Sequence, residues 1–86
     1  MKIKVILVGF PEVEPVVGGQ EIDLEVEGIT FGDLLLHLRQ TYGEPMVKNL
    51  QQQILRNGKE WIKKDDLNHF LKDGDRLTFL QMMGGG

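Results

Sequence analysis

Apolar and polar side chains alternate in two stretches near the start of the chain, which predicts two β-strands there. The first stretch, residues 2–8, is dense in β-branched residues, and the second, residues 20–27, has carboxylates at every other position. The inward faces of these strands are predicted to be Ile3, Val5, Leu7, Ile22, Leu24 and Val26. Residues 10–19 hold two prolines and a glycine pair, which are typical of a loop. We therefore predict a hairpin.

An apolar residue recurs at every third or fourth position of residues 31–42, which predicts an amphipathic helix. Thr30 and Asp33 are spaced as a capping box, with Asp33 in the place of the usual Glu or Gln. Gly43 follows the last periodic residue and ends the helix. A second, short helical stretch is predicted after Pro45, with Met46, Val47 and Leu50 on one face.

The second half of the chain predicts three further strands. Asn57 and Gly58 are the preferred pair for a two-residue type I′ turn, so residues 53–56 and 59–62 form a hairpin. Residues 63–75 connect it to a last strand at residues 76–80. The connection is expected to pack a short helical turn onto the core through Leu67, Phe70 and Leu71. The fold class is therefore α+β, with a small mixed sheet of about five strands packed on one main helix.

One helix covers only one face of such a sheet, so the other face is expected to be open. If the first and last strands are neighbours, Leu77 and Phe79 point inward with Val5 and Leu7. The open face then carries Ile6, Val8 and Leu80. Isolated exposed aliphatic residues are ordinary, but three clustered beside the chain end indicate a docking surface.

The end of the chain, residues 81–86, is Gln-Met-Met-Gly-Gly-Gly and directly follows the last predicted strand. Glycine has no Cβ, so Gly84, Gly85 and Gly86 can pass extended through a slot too narrow for side chains. At its end such a tail presents the ionised α-carboxylate of Gly86. Met82 and Met83 either line the mouth of that slot or only finish a strand edge. A ragged terminus is the alternative interpretation of the whole segment.

Composition narrows the classes of function that remain. The chain has 86 residues, enough for one domain, and 10 Lys and Arg against 13 Asp and Glu give a net charge of −3. Without a basic stripe, nucleic-acid binding is not expected. With no cysteine, no thiolate is available as nucleophile or metal ligand. No apolar run predicts a membrane span or a signal peptide, so we expect a cytoplasmic protein.

Other motifs in the sequence favour structural roles. His37 and His69 stand apart from further metal ligands, so no metal site is predicted. Asp73 and Asp75 lack the ligand series of a calcium loop and are assigned to a turn. No catalytic residue is predicted.

Four segments, residues 3–5, 30–35, 56–59 and 71–86, together carry a resemblance to a known family. The last is the most specific, with a leucine, a Gly-Asp turn, an apolar strand and a terminal Gly-Gly. In this order the segments resemble the MoaD/ThiS family of ubiquitin-like (β-grasp) sulfur carrier proteins, over essentially the whole chain. The length and the insert at residues 45–53 are most similar to the small subunit of molybdopterin synthase.

The resemblance implies a domain at residues 1–83 and a flexible tail at residues 84–86. An E1-like adenylyltransferase would bind the domain and use ATP to adenylate Gly86, and the product would become a thiocarboxylate. Its sulfur would pass to an acceptor, such as the large subunit of molybdopterin synthase. The implied docking surface is Ile6, Val8, Leu80, Met82 and Met83. The carrier itself would hold no bound cofactor and would be monomeric when free.

Three alternatives stay open at this point. The chain could be a carrier for thiamine or another sulfur-containing metabolite, a ubiquitin-like modifier conjugated through Gly86, or a β-grasp interaction domain with an inert tail. The sequence also departs from the family pattern. Gly84 precedes the terminal pair, where family members usually have another residue, and Gln81 and Met82 stand where molybdopterin-type members commonly have prolines.

Overall fold

A computed structural model describes residues 1–50 and 53–81 of the chain. The elements in chain order are β1 (Lys2–Val8), α1 (Glu14–Val17), β2 (Glu21–Glu25), α2 (Phe31–Tyr42), α3 (Glu44–Leu50), β3 (Gln53–Arg56), β4 (Glu60–Ile62) and β5 (Asp75–Leu80). This order confirms the predicted sequence of strands and of the two longer helices.

The strands form one five-stranded sheet in the order β2-β1-β5-β3-β4. The central pair, β1 and β5, is parallel, and the β1–β2, β3–β4 and β3–β5 pairs are antiparallel. The first and last strands are therefore neighbours, which is the condition on which the predicted open-face residues depended. β5 lies in the middle of the sheet, with a hydrogen-bonded partner on each side.

The core lies between the sheet and the two longer helices. Its sheet side is formed by alternate residues of the two central strands, Ile3, Val5, Leu7, Leu77 and Phe79, all buried as predicted. The helical side is formed by the buried residues Phe31, Leu34, Leu35, Leu38, Met46, Val47 and Leu50. The other face of the sheet carries no helix among the described residues.

The segment predicted as a plain loop between β1 and β2 is more ordered than expected. It contains the one-turn helix α1, and Phe10 and Val13 before it are buried in the core. The amides of Val13 and Glu14 both donate to the carbonyl of Phe10. The prolines and glycines that suggested a loop instead border this turn, with Pro15 in its first positions and Gly18 at its end.

The predicted capping box of α2 is present. Thr30 accepts from the amide of Asp33 at 3.1 Å, and the Asp33 carboxylate accepts from the amide of Thr30 at 3.0 Å. Hydrogen bonds to the Asp33 carboxylate, from the amides of Thr30 and then Ile29, hold the pKa of Asp33 below its ordinary value. These contacts explain why α2 begins at the predicted residue.

The prediction of a helical turn in residues 63–75 that packs three apolar side chains is wrong. Leu71 is buried, but Leu67 and Phe70 are 48% and 67% exposed, and no helix is found there. The backbone of this segment has another role, because the carbonyls of Leu67 and His69 accept from the first two amides of α2, each at 2.8 Å. Those carbonyls satisfy donors that a helix start leaves unpaired.

The turn between β3 and β4 has the predicted type and one residue more than predicted. Asn57 and Gly58 both have positive φ, 52° and 71°, and the amide of Lys59 donates to the carbonyl of Arg56 at 3.0 Å. These are the features of a type I′ turn. Strand pairing begins at Arg56 with Glu60, however, so Lys59 is an additional loop residue.

Within residues 1–50 and 53–81, none of the helices is long and apolar enough to cross a membrane.

Candidate functional site

The open face of the sheet carries an apolar patch, formed by Ile6, Val8, Leu55, Trp61 and Leu80. Strand register places these residues side by side. One row across the sheet runs Ile6, Thr78, Leu55 and Trp61, and the next row holds Val8 beside Leu80. Because residues in register on neighbouring strands share a face, the patch spans four of the five strands.

Exposure varies across the apolar patch. Val8 and Trp61 are 45% and 59% exposed, whereas Ile6, Leu55 and Leu80 are half-buried. Leu80 is therefore less exposed than its predicted place on the open face would suggest. Leu80 lies on a central strand, between Val8 of β1 and Gln53 of β3, and both neighbours cover it.

Sequence reasoning missed Leu55 and Trp61 as members of this face. Both point outward because their inward neighbours Ile54 and Ile62 are fully or nearly fully buried. The alternation within β3 and β4 would have identified the two outward residues. It would not have placed them beside Ile6, because that depends on β3 pairing with β5.

The start of the tail is fixed beside the apolar patch. The amide of Gln81, the last described residue, donates to the carbonyl of Val8 at 3.0 Å. Gly9 has a φ of 85°, and a Cβ at this position would lie 3.2 Å from the carbonyl oxygen of Gln81. The close approach and the positive φ both require glycine here. The predicted site residues Met82, Met83, Gly84, Gly85 and Gly86 lie outside the described residues.

Charged side chains border the apolar patch on the same face of the sheet. The outward residues of the edge strand β2 are Glu21, Asp23 and Glu25, and they stand in register with Ile6, Lys4 and Lys2 respectively. On β5, Arg76 is in register with Lys4. The open face is therefore apolar where β1 and β5 end and charged where they begin.

A buried carboxylate holds the start of β5 to the β3–β4 turn. Asp75 is the one charged residue that is buried in the described chain, and it accepts from Arg56 at 2.8 Å and from the Asn57 amide at 3.1 Å. Burial favours the neutral acid, but hydrogen bonds from Lys72 N–H, Asn57 and Arg56 outweigh it and lower the pKa of Asp75. Asp75 is thus a structural clasp on the core side of the sheet.

His69 extends this hydrogen-bonded network toward the surface. Its Nε2 lies 3.0 Å from Glu60, which also accepts from Arg56, and its Nδ1 lies 3.1 Å from Asp66. The hydrogen bonds from His69 and Arg56 lower the pKa of Glu60. In the described part of the chain, no group of three or more His, Cys, Asp and Glu is arranged to hold a metal ion. His37 lies on α2, away from the open face.

Comparison with known proteins gives a family model and several solved structures. The model of the ThiS family matches residues 10–86. Small archaeal modifier protein 1 from Methanosarcina acetivorans is similar with a TM-score of 0.69 and 26% identity, over 99% of this chain and 96% of that chain. A search of curated proteins found no match.

Two further structures are similar over their full length and that of this chain. One belongs to the complex of subunits 1 and 2 of molybdopterin-converting factor from Helicobacter pylori, with a TM-score of 0.65 and 25% identity. The other is the modifier protein SAMP1 from Haloferax volcanii, with a TM-score of 0.68 and 23% identity, a likeness of fold alone.

Proposed function

Because the chain belongs to the ThiS family and has the β-grasp fold of ubiquitin-like proteins, we propose that it is a sulfur carrier. Its C-terminal residue Gly86 carries the sulfur as a thiocarboxylate, and the pathway that fits best is the synthesis of molybdopterin. The chain is a co-substrate in this proposal, and its partner enzymes supply the catalysis.

The observation that carries the proposal is that Gln81, where the tail starts, lies beside the apolar patch. Val8 binds the amide of Gln81 through its carbonyl and contributes its side chain to the patch. A partner that docks on the patch therefore fixes where the tail begins. The six residues after Leu80 can reach about 20 Å in an extended conformation, which sets the greatest distance from the patch to the partner's reaction centre.

The chemistry requires activation because a carboxylate is a poor electrophile. In the proposed first step, an oxygen of the Gly86 carboxylate attacks the α-phosphorus of ATP, and pyrophosphate leaves with the electrons of the broken P–O bond. A sulfide-level donor then attacks the Gly86 carbonyl, and AMP leaves. The product is a thiocarboxylate, with one oxygen of the original carboxylate replaced by sulfur.

Water would hydrolyse the adenylate, so the partner must enclose the reacting carbonyl. A glycine tail suits this need, since three residues without side chains can enter a channel that excludes water. Met82 and Met83 would lie at the mouth of that channel, where flexible apolar side chains adapt to an irregular surface. The proposed site residues are thus Gly86 for the reaction, Gly84 and Gly85 for entry, and the patch for docking.

Two partners follow from the proposal. An E1-like adenylyltransferase activates Gly86, and a sulfur-accepting enzyme receives the sulfur. The similar Helicobacter pylori chain is in a complex with subunit 2 of molybdopterin-converting factor, which supports a synthase subunit as acceptor. We also propose that the free carrier is a cytoplasmic monomer.

The second candidate function is protein modification through Gly86. The similarity to small archaeal modifier protein 1 from Methanosarcina acetivorans favours it. It uses the same adenylation but ends with a lysine amine, in place of sulfide, attacking the activated carbonyl. A carrier for thiamine or another metabolite would use the same first two steps and differ only in the acceptor.

Intact-mass measurement separates a sulfur carrier from a protein modifier. The chain is incubated with ATP, a sulfide donor and the E1-like adenylyltransferase of the same organism, and a chain lacking Gly85 and Gly86 is the control. A carrier gains the mass difference between sulfur and oxygen at its C-terminus, and the control gains nothing. A ladder of isopeptide-linked conjugates in cell extract supports modification. If neither product forms, the tail is inert.

A further inference from the structure

Two cations, Lys4 and Arg76, stand side by side on the open face of the sheet. They are in register on the parallel strands β1 and β5, whose axes lie about 4.8 Å apart in any sheet. Like charges placed directly opposite each other on neighbouring strands destabilise a sheet. This arrangement works against the fold, and such local conflicts are a sign of a functional requirement.

Neither of the two cations forms an ion pair in the described part of the chain. Lys4 has Asp23 as its other in-register neighbour on β2, but in the described residues no carboxylate lies within 4.0 Å of either cation. Arg76 has no acidic neighbour in its row. On its β3 side lies Asn57, whose backbone amide and side-chain oxygen bind only the backbone of Arg76.

The cation pair borders the apolar patch. Ile6 and Thr78 are the next outward residues along β1 and β5 and stand in register with each other. Arg76 is exposed, and two outward steps along β5 separate it from Leu80, about 13 Å in an extended strand. A partner that covers the patch therefore lies within reach of the Arg76 side chain.

We propose that Arg76, assisted by Lys4, binds a carboxylate of the E1-like adenylyltransferase when that enzyme docks on the apolar patch, and thereby sets the orientation of the enzyme. This inference rests on the proposed function and names the chemistry of its docking surface. The planar guanidinium presents paired donors that match a carboxylate. An apolar patch alone fixes orientation poorly, whereas one directional ion pair at its border specifies it.

The charges nearby favour a protein carboxylate over a polyanion. Glu21, Asp23 and Glu25 line the adjacent edge strand on the same face, and the chain as a whole carries a net charge of −3. A nucleic acid or an anionic membrane would bring its next phosphates against these carboxylates. A single acidic side chain on a partner surface meets the two cations without that repulsion.

The test is the variant Arg76→Glu, measured in two ways. Binding to the E1-like adenylyltransferase should weaken at least tenfold at low salt, and the dependence of affinity on salt should diminish. The melting temperature should rise by a few degrees, because Glu opposite Lys4 replaces a repulsion with an attraction.

Arg76→Lys, which keeps the charge, should retain most of the affinity. Lys48→Glu is the matched control, as Lys48 lies on α3 on the other side of the sheet, and it should bind like the original chain.

Opposite outcomes overturn the inference without ambiguity. If Arg76→Glu binds as tightly as the original chain while Val8→Asp does not, the patch docks without the cation pair. If both variants bind and react normally, the open face is not the docking surface, and the inference fails while the proposed function stands. If the original chain itself is not adenylated, the proposed function fails. Equal weakening by Arg76→Glu and Lys48→Glu would mean that only overall charge matters. Tighter binding of the original chain to a single-stranded DNA oligonucleotide than to the enzyme would favour a polyanion.

Discussion

Val8 and Gln81 are joined by a backbone hydrogen bond of 3.0 Å, which prolongs the pairing of β1 and β5 by one residue beyond the end of β5. The tail thus starts at a fixed point on the rim of the apolar patch. In the proposed function, docking and delivery of the carboxylate are linked through these two adjacent strands, and this link makes several outcomes predictable.

Val8→Asp should weaken docking while the domain stays folded. Val8 is 45% exposed, so a charge there remains hydrated in the free chain but must lose water in the complex. We expect an affinity loss of about tenfold or more, measured by titration calorimetry with the adenylyltransferase. Val16→Asp on α1, at a residue 62% exposed, is the matched control and should bind normally. Equal effects of the two would argue against the patch.

Leu80→Asp should also weaken docking, but it should in addition lower the stability of the domain. Leu80 is half-buried between Val8 and Gln53, so the new carboxylate is partly desolvated. We expect a loss of about 1–3 kcal/mol in the free energy of unfolding, measured in urea. A loss near zero would mean that Leu80 is more exposed in solution than in the structure.

Gly9→Ala should disturb the tail in addition to the fold. Alanine is strained at a φ of 85°, and its Cβ would meet the carbonyl of Gln81. Gly58→Ala is a matched control, because Gly58 has a φ of 71° but nothing within 4 Å. Both variants should lose about 1–2 kcal/mol of stability, and only Gly9→Ala should slow ATP–pyrophosphate exchange at saturating carrier. Equal exchange rates for the Gly9→Ala and Gly58→Ala variants would show that a shift of Gln81 does not affect activation.

One residue added after Gly86, or the removal of Gly86, should abolish activation and leave docking intact. An extended residue changes the reach by about 3.3–3.6 Å, whereas attack geometry tolerates errors of about 1 Å. Gly86→Val should fail as well, because a β-branched side chain crowds the carbonyl. ATP–pyrophosphate exchange measures activation, and calorimetry measures docking. Exchange at the original rate would refute the delivery of a carboxylate over a fixed distance.

Asp75→Asn should destabilise the domain in a pH-dependent way. The folded-state pKa of Asp75 lies below its ordinary value of 3.8, so its charged form contributes stability above that value. The contribution is lost as pH falls through the folded-state pKa. Near neutral pH the variant should be less stable by about 1–3 kcal/mol, and the difference should narrow toward pH 3. Urea unfolding checks this, with exposed Asp65→Asn as the control. A difference independent of pH would assign the effect to packing.

Local signals predicted α2 and the β3–β4 turn well. In α2, the capping box of Thr30 and Asp33, the apolar spacing and Gly43 all indicate the same boundaries. The connection after β4 was predicted less well, because large apolar residues such as Leu67 and Phe70 are usually buried and here they are exposed. The backbone carbonyls of this segment accept hydrogen bonds from the first amides of α2. Contacts of this kind are not predicted by any local sequence pattern.

Part of the site depended on long-range pairing that no local pattern specifies. Ile6, Val8 and Leu80 follow once β1 is placed beside β5, but Leu55 and Trp61 join them only through the pairing of β3 with β5. The cation pair of Lys4 and Arg76 has the same origin, since 71 residues separate the two in sequence and one register shift would part them.

The central position of β5 also determines when the docking surface comes into existence. The last strand inserts between β1 and β3, and until it does, Ile6 and Leu55 belong to separate hairpins. Strand pairings between distant parts of a chain form late in folding because their loop closure is costly. The proposed docking surface is therefore absent from partly folded chains, and a partner that binds it would distinguish folded molecules from partly folded ones.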